Sequence, residues 1–202
     1  MDEALAILET ARTMLTILVD GPYWKRGHPE NTAILVLPGI YQEYRIQGGV
    51  DIWNQDQSQR LWIAGTRGDP AYTRDQIVEV AGVDHPNIVC GEFCNHTPDQ
   101  MRWCLKMLQD NPGVSHLIMT TAAYHLPRCV LTNVAAMEKA GKRVPISPIP
   151  LTNPNGDSFP PTGKGSWEDW LAEVSKVIMY QDTGDVASLS QWREYLTWRL
   201  SI

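Results

Sequence analysis

The run Thr120-Thr-Ala-Ala-Tyr-His-Leu-Pro-Arg128 gathers a phenol, an imidazole and a guanidinium at Tyr124, His125 and Arg128. A histidine changes charge near neutral pH, so His125 is a candidate general acid or base, or a ligand donor; a histidine that only satisfies backbone groups is the alternative. Arg128 carries a planar fork suited to phosphate or carboxylate, and its alternative is a pair with Glu92. Arg45 offers the same choice between an anionic ligand and a surface pair with Glu43. Glu92 with His125 would form a proton-transfer pair if the two meet. Asn95 can hydrogen-bond a ligand or sustain a turn, and Thr97 is first a helix cap and second a site residue. Gly39 and Gly65 sit where strands end, at points of sharp turning or close ligand approach, but neither belongs to a full G-x-G-x-x-G. The chain has no P-loop, no H-E-x-x-H and no nucleophile elbow.

These groups need elements to aim them. Leu117 to Thr120 reads as a buried strand, followed by a turn of small residues and a helix whose first turn carries Tyr124, His125 and Arg128. Pro127 suits a first turn, and Leu126, Val130, Val134 and Met137 then form one apolar helix face. A strand, a tight turn and a helix N-terminus present free N–H groups and a positive dipole end to an anion. An arginine in that turn is locally unfavourable. A ligand phosphate or carboxylate would offset it, and so would a neighbouring Asp or Glu.

Four further strands are expected, at 32–38, 61–64, 87–90 and 143–149. Helices are expected over 46–59, despite Gly48-Gly49, from the capping box Thr73-Arg-Asp-Gln76 to Gly82, and from Thr97-Pro-Asp-Gln100 with Thr97 as N-cap. Strands alternating with helices imply an α/β fold: a Rossmann-like, doubly wound, mainly parallel five-stranded sheet with extra N- and C-terminal helices. The common strand order sets the first and fourth strands side by side, and ligands bind beyond the strand ends at that reversal. Arg45, His125 and Arg128 would then share one crevice.

At 202 residues the chain reads as a single domain, with a core over 32–150 and a lid-like loop and C-terminal helices over 151–202. Apolar content of 43% and charged content of 20% describe a soluble globular protein, and a net charge of -6 argues against nucleic-acid binding. Residues 1–20 lack a positive n-region; Leu5, Leu8, Leu15 and Leu18 fit a docked amphipathic helix, so neither a membrane association nor a targeting signal is expected, and a cytoplasmic location is. Cys90, Cys94, Cys104 and Cys129 are expected as reduced, buried thiols; with no Cys-x-x-Cys knuckle, no metal is expected. The segment 145–166 is polar and rich in Pro and Gly, either a lid or a flexible loop. Beyond it, Trp167, Trp170 and Trp192 suit packing or a homodimer contact through the C-terminal aromatic helices.

The runs Ala33-Ile-Leu-Val-Leu-Pro-Gly39, Ile63-Ala-Gly65, Glu92-x-x-Asn-His-Thr97 and Thr120 to Arg128, with Arg45 between the first two, resemble the YdcF/SanA/ElyC-like family of bacterial proteins. Glu173 to Asp185 is similar to the C-terminal part of its soluble members. The resemblance implies a Rossmann-like fold and, through the soluble branch, S-adenosylmethionine as a ligand. The positions it brings to the site are Gly39, Arg45, Gly65, Glu92, Asn95, Thr97, Thr121, Tyr124, His125 and Arg128. The expected function is binding of an anionic, nucleotide-like or S-adenosylmethionine-like small molecule, with group transfer as a possible use. Two alternatives stand beside it: a hydrolase or lyase acting on a phosphorylated or carboxylated metabolite with His125 as acid or base, and a non-catalytic regulatory or scaffold protein.

Overall fold

The computed structural model describes residues 3–19, 31–39, 42–66, 73–153 and 166–202. Five parallel strands run in the order β3-β2-β1-β4-β5, as β1 (Thr32–Val36), β2 (Arg60–Ile63), β3 (Ile88–Cys90), β4 (His116–Ala122) and β5 (Ile146–Leu151). The first and fourth strands are neighbours, Thr32 facing His116 and Val36 facing Thr120. This is the doubly wound α/β arrangement that alternating strand and helix patterns imply.

All of β1 is buried, because both faces of the sheet are covered. Ile34 and Val36 meet α2 (Tyr44–Trp53) and α3 (Arg74–Ala81) through Ile46, Val50 and Ile77. Ala33 and Leu35 face the other way, toward the core of α1 (Glu3–Val19), α4 (Thr97–Asp110), α5 (Leu126–Lys139), α6 (Ser166–Asp182) and α7 (Leu189–Leu200). The glycine pair inside α2 has a packing reason. A Cβ on Gly49 would lie 2.2 Å from Val36 Cγ2, and one on Gly48 would lie 2.7 Å from Leu151 Cδ2. The missing side chains let α2 lie against the sheet, which outweighs their low helix propensity.

Several boundaries move for physical reasons. The fourth strand runs on to Ala122, and its helix begins only at Leu126, so Tyr124 and His125 stand in the turn before the helix. The fifth strand lies at 146–151 instead of 143–149; as an edge strand it tolerates Pro148 and Pro150. The capping box at Thr73 and Gln76 is present. Thr97 is not an N-cap: His96 holds that position without a side-chain bond, and Thr97 is the first helical residue. On α1 the docked face is Thr10, Met14 and Ile17, whereas Leu5, Leu8 and Leu15 are exposed. Gly21-Pro22 and residues 154–165 of the expected lid lie outside the described residues.

Three of the C-terminal aromatics serve this chain's own core. Trp170, Trp192 and Tyr195 are buried. The Tyr195 hydroxyl accepts from Ile146 N at 2.7 Å and donates to the Val144 carbonyl at 3.2 Å, fastening α7 to β5. No helix among the described residues is long and apolar enough to cross a membrane.

Candidate functional site

Beyond the C-terminal ends of the strands lies a cavity of about 380 Å³. Its walls come from the loop after β1 (Pro38, Gly39, Gln42), from α2 (Arg45), from the start of α4 (Asn95, His96, Thr97, Gln100), from the turn into α5 (Tyr124, His125, Arg128) and from α6 (Asp169, Glu173, Lys176). Arg45, His125 and Arg128, distant in sequence, thus line one crevice. The N-termini of both α4 and α5 reach it with the positive ends of their dipoles.

Arg45 is 3% exposed. Nη1 donates to the Leu37 carbonyl at 3.3 Å and to Thr121 Oγ1 at 2.8 Å, and Nη2 donates to the Tyr124 hydroxyl at 3.0 Å. Thr121 passes its own proton to Leu37 O at 2.7 Å. A guanidinium has five donors. Among the described residues three are used, Nε has no partner, and no carboxylate pairs with the charge. Glu43, the surface alternative, is itself exposed. Gly39 makes room for this side chain: a Cβ there would stand 3.0 Å from Arg45 Nη1 and 2.1 Å from Gln42 Oε1.

His125 and Arg128 converge on Glu173 of α6. Arg128 Nε donates to Glu173 Oε2 at 2.5 Å and Nη1 to Thr97 Oγ1 at 3.1 Å, while His125 Nδ1 lies 3.1 Å from Glu173 Oε2. Lys176 Nζ adds a bond to Glu173 Oε1 at 2.8 Å. Burial and then the Arg128 charge push the His125 pKa down to about 4, against the pull of Glu173, so the imidazole is neutral at neutral pH. Burial opposes ionisation of Glu173, but His125 and Arg128 outweigh it and hold the carboxyl well below its usual range. Burial also disfavours the Arg128 charge, and Glu173 reverses that, raising its pKa. The result is a settled ion pair beside a neutral imidazole.

Glu92 does not take the part expected of it. Its side chain is exposed and does not line the cavity, and the acid against both His125 and Arg128 is Glu173. What Glu92 supplies is backbone: a Cβ on Gly65 would lie 1.4 Å from its carbonyl oxygen, so glycine is required where the chain leaves β2. Gly65 touches the site through its own carbonyl, which accepts from Gln100 Nε2 at 2.9 Å. Asn95 lines the rim, and its backbone N–H donates to Asp99 Oδ2 at 3.0 Å. Cys94 also lines the cavity, but burial raises its thiol pKa and removes it as a thiolate nucleophile. Among the described residues no group of His, Cys, Asp and Glu is arranged to hold a metal ion.

Sequence reasoning passed over Asp169, Glu173 and Lys176. The readable sign was in α6: Asp169 and Glu173 are four residues apart on one helix face, which the buried Val177 continues into the core. Together the walls carry three cations, Arg45, Arg128 and Lys176, against two carboxylates, Asp169 and Glu173. The arrangement can hold an oxyanion at Arg45 and present a neutral imidazole beside it. No family model matches the chain, and no curated protein matches it.

Proposed function

We propose that the protein binds a small anionic molecule in the cavity at the β1/β4 reversal, with Arg45 as the receptor for its phosphate or carboxylate. One observation carries this reading. Arg45 is a buried, permanently charged group with one Nη2 hydrogen unused, Nε sealed from solvent, and no counter-charge among the described residues. A buried charge of that kind is costly unless something negative accompanies it, and the hydrogen left on Nη2 can be given to an oxyanion in a charge-assisted bond. Arg128 differs, because Glu173 already neutralises it. A cavity of about 380 Å³ suits a metabolite-sized ligand.

S-adenosylmethionine, the ligand that the YdcF-like resemblance suggests, offers one carboxylate for Arg45 and a sulfonium that the Asp169 carboxylate on the cavity wall favours. The donor set fits a nucleotide or sugar phosphate equally well at the anionic end. Calorimetric titration with inorganic phosphate, nucleotides and S-adenosylmethionine tests the reading. Saturable binding that Arg45→Met removes supports it, and ligand binding that survives Arg45→Met in a folded protein refutes it.

A further inference from the structure

His125 Nδ1 stands between two partners of opposite demand. Glu173 Oε2 is 3.1 Å away and requires a donor; Arg128 Nη2 is 3.2 Å away and requires an acceptor. The two are unequal. Arg128 Nη2 has another acceptor in Glu173 Oε1 at 3.4 Å, so its proton has somewhere else to go. Glu173 Oε2 also accepts from Arg128 Nε at 2.5 Å, but it has no proton to turn toward the ring: an unprotonated Nδ1 would set one lone pair against another on a carboxylate that is 3% exposed. Nδ1 therefore carries the proton, and Nε2 carries the lone pair.

Nε2 has no hydrogen-bond partner among the described residues, and it is not among their sealed, unsatisfied atoms. Its ring lines the same cavity as Arg45, the two separated by Tyr124: the Arg45 guanidinium lies 5.8 Å from the Tyr124 ring centre, and the Tyr124 and His125 rings are 6.3 Å apart. We propose that this cavity is a general-base site, in which Nε2 of His125, oriented by Glu173 and Arg128, takes the proton from a hydroxyl group or water held beside the oxyanion on Arg45. The O–H bond breaks, an N–H bond forms at Nε2, and the electron pair left on oxygen makes it a nucleophile. The imidazolium that results donates through Nδ1–H to Glu173, while Arg128 and Arg45 disfavour its charge and speed the proton's departure. The ligand class narrows accordingly to an oxyanion with an O–H group next to it, as in a hydroxy acid or a sugar phosphate, or one that holds a water there. Glu173 and Arg128 are positioning residues, acting through His125.

This inference rests on the anion-binding reading but is tested apart from it. Nitrogen-15 NMR of the imidazole reports the tautomer directly. The wild type is expected to show Nδ1–H between pH 5 and pH 8; Glu173→Gln, whose amide can donate to Nδ1, is expected to switch to Nε2–H, and Glu173→Asp to retain Nδ1–H. Diethyl pyrocarbonate then probes the lone pair: Nε2 attacks a carbonyl carbon and expels ethyl carbonate. Acylation of His125 is expected to slow by about tenfold or more in Glu173→Gln, and bound phosphate is expected to protect the wild type. An Nε2–H tautomer in the wild type overturns the proposal, as does acylation indifferent to Glu173→Gln. Should Glu173→Gln fail to fold, the wild-type tautomer and the Glu173→Asp variant decide alone. Phosphate titration run alongside judges the anion reading separately, since a protein that ignores phosphate can still reveal its tautomer.

Discussion

Arg128 Nε lies 2.5 Å from Glu173 Oε2, in a contact that joins α5 to α6 across a sequence separation of 45 residues. Both side chains are largely buried, 12% and 3% exposed; Arg128 depends on Glu173 for its counter-charge, whereas Glu173 also has Lys176. That dependence makes the pair a structural joint and a feature of the site at once.

Removing one side of the joint has two expected consequences. Glu173→Ala leaves Arg128 buried without its acid and is expected to lower stability by about 3 kcal/mol, because breaking a buried pair strands a charge. The same change frees a second guanidinium for anions. Chemical denaturation with and without phosphate checks both: phosphate is expected to restore more stability to the variant than it adds to the wild type.

Arg45 is expected to behave in the opposite sense. Arg45→Met removes the receptor and is expected to weaken anion binding by about a hundredfold, on the order of 3 kcal/mol. Arg45→Lys keeps the charge but loses the fork, and is expected to fall between the two. Thr121→Val, which deletes the hydroxyl that accepts from Arg45 Nη1, is expected to weaken binding by roughly fivefold, about 1 kcal/mol, by loosening the guanidinium. Isothermal titration with phosphate measures all three.

Stability is expected to fall on mild acidification. His125 has a folded pKa of about 4 against an unfolded value of 6.5. A depressed folded pKa means that the unfolded chain binds the proton first, so the contribution is complete above pH 6.5 and is lost as the pH falls toward 4. The loss amounts to roughly 3 kcal/mol. Glu173, also depressed, adds a further loss at lower pH. Urea midpoints from pH 7 to pH 4 check the slope, and His125→Asn is expected to flatten the upper part of it.

Two glycines are expected to respond differently to one methyl group. Gly65→Ala places a Cβ 1.4 Å from a backbone oxygen and is expected to destabilise the protein by more than about 3 kcal/mol, since main chain has to move. Gly82→Ala meets nothing within 4 Å, but at a φ of 70° it is expected to cost only about 1 kcal/mol. Thermal midpoints of the two variants separate the cases.

The parts of the molecule that follow periodicity were legible in the sequence. The apolar run of β1, the capping box at Thr73 and the stripe of α5 announce themselves locally, and right-handed crossovers then leave few ways to order the strands. The convergence of residues 45, 125 and 128 followed from that topology. Glu173 was hidden because its partners lie on another helix, and local spacing carries no record of a contact 45 residues away. Thr97 misled for a related reason. Its hydroxyl had two possible roles, and Arg128 claimed it where a helix cap was expected. At Gly48-Gly49 propensity pointed one way and the surface of Val36 the other, and packing prevailed.

The placement of Glu173 on α6 also bears on how this chain can be shortened. A fragment cut after residue 153 would keep all five strands, yet it would expose the flank of α5 and lose the carboxylate that Arg128 leans on. Two like-charged guanidinium groups would then border one hollow, drawing in buffer ions indiscriminately. The sixth helix is part of the pocket's wall, and trimming it would trade a discriminating receptor for a merely sticky one.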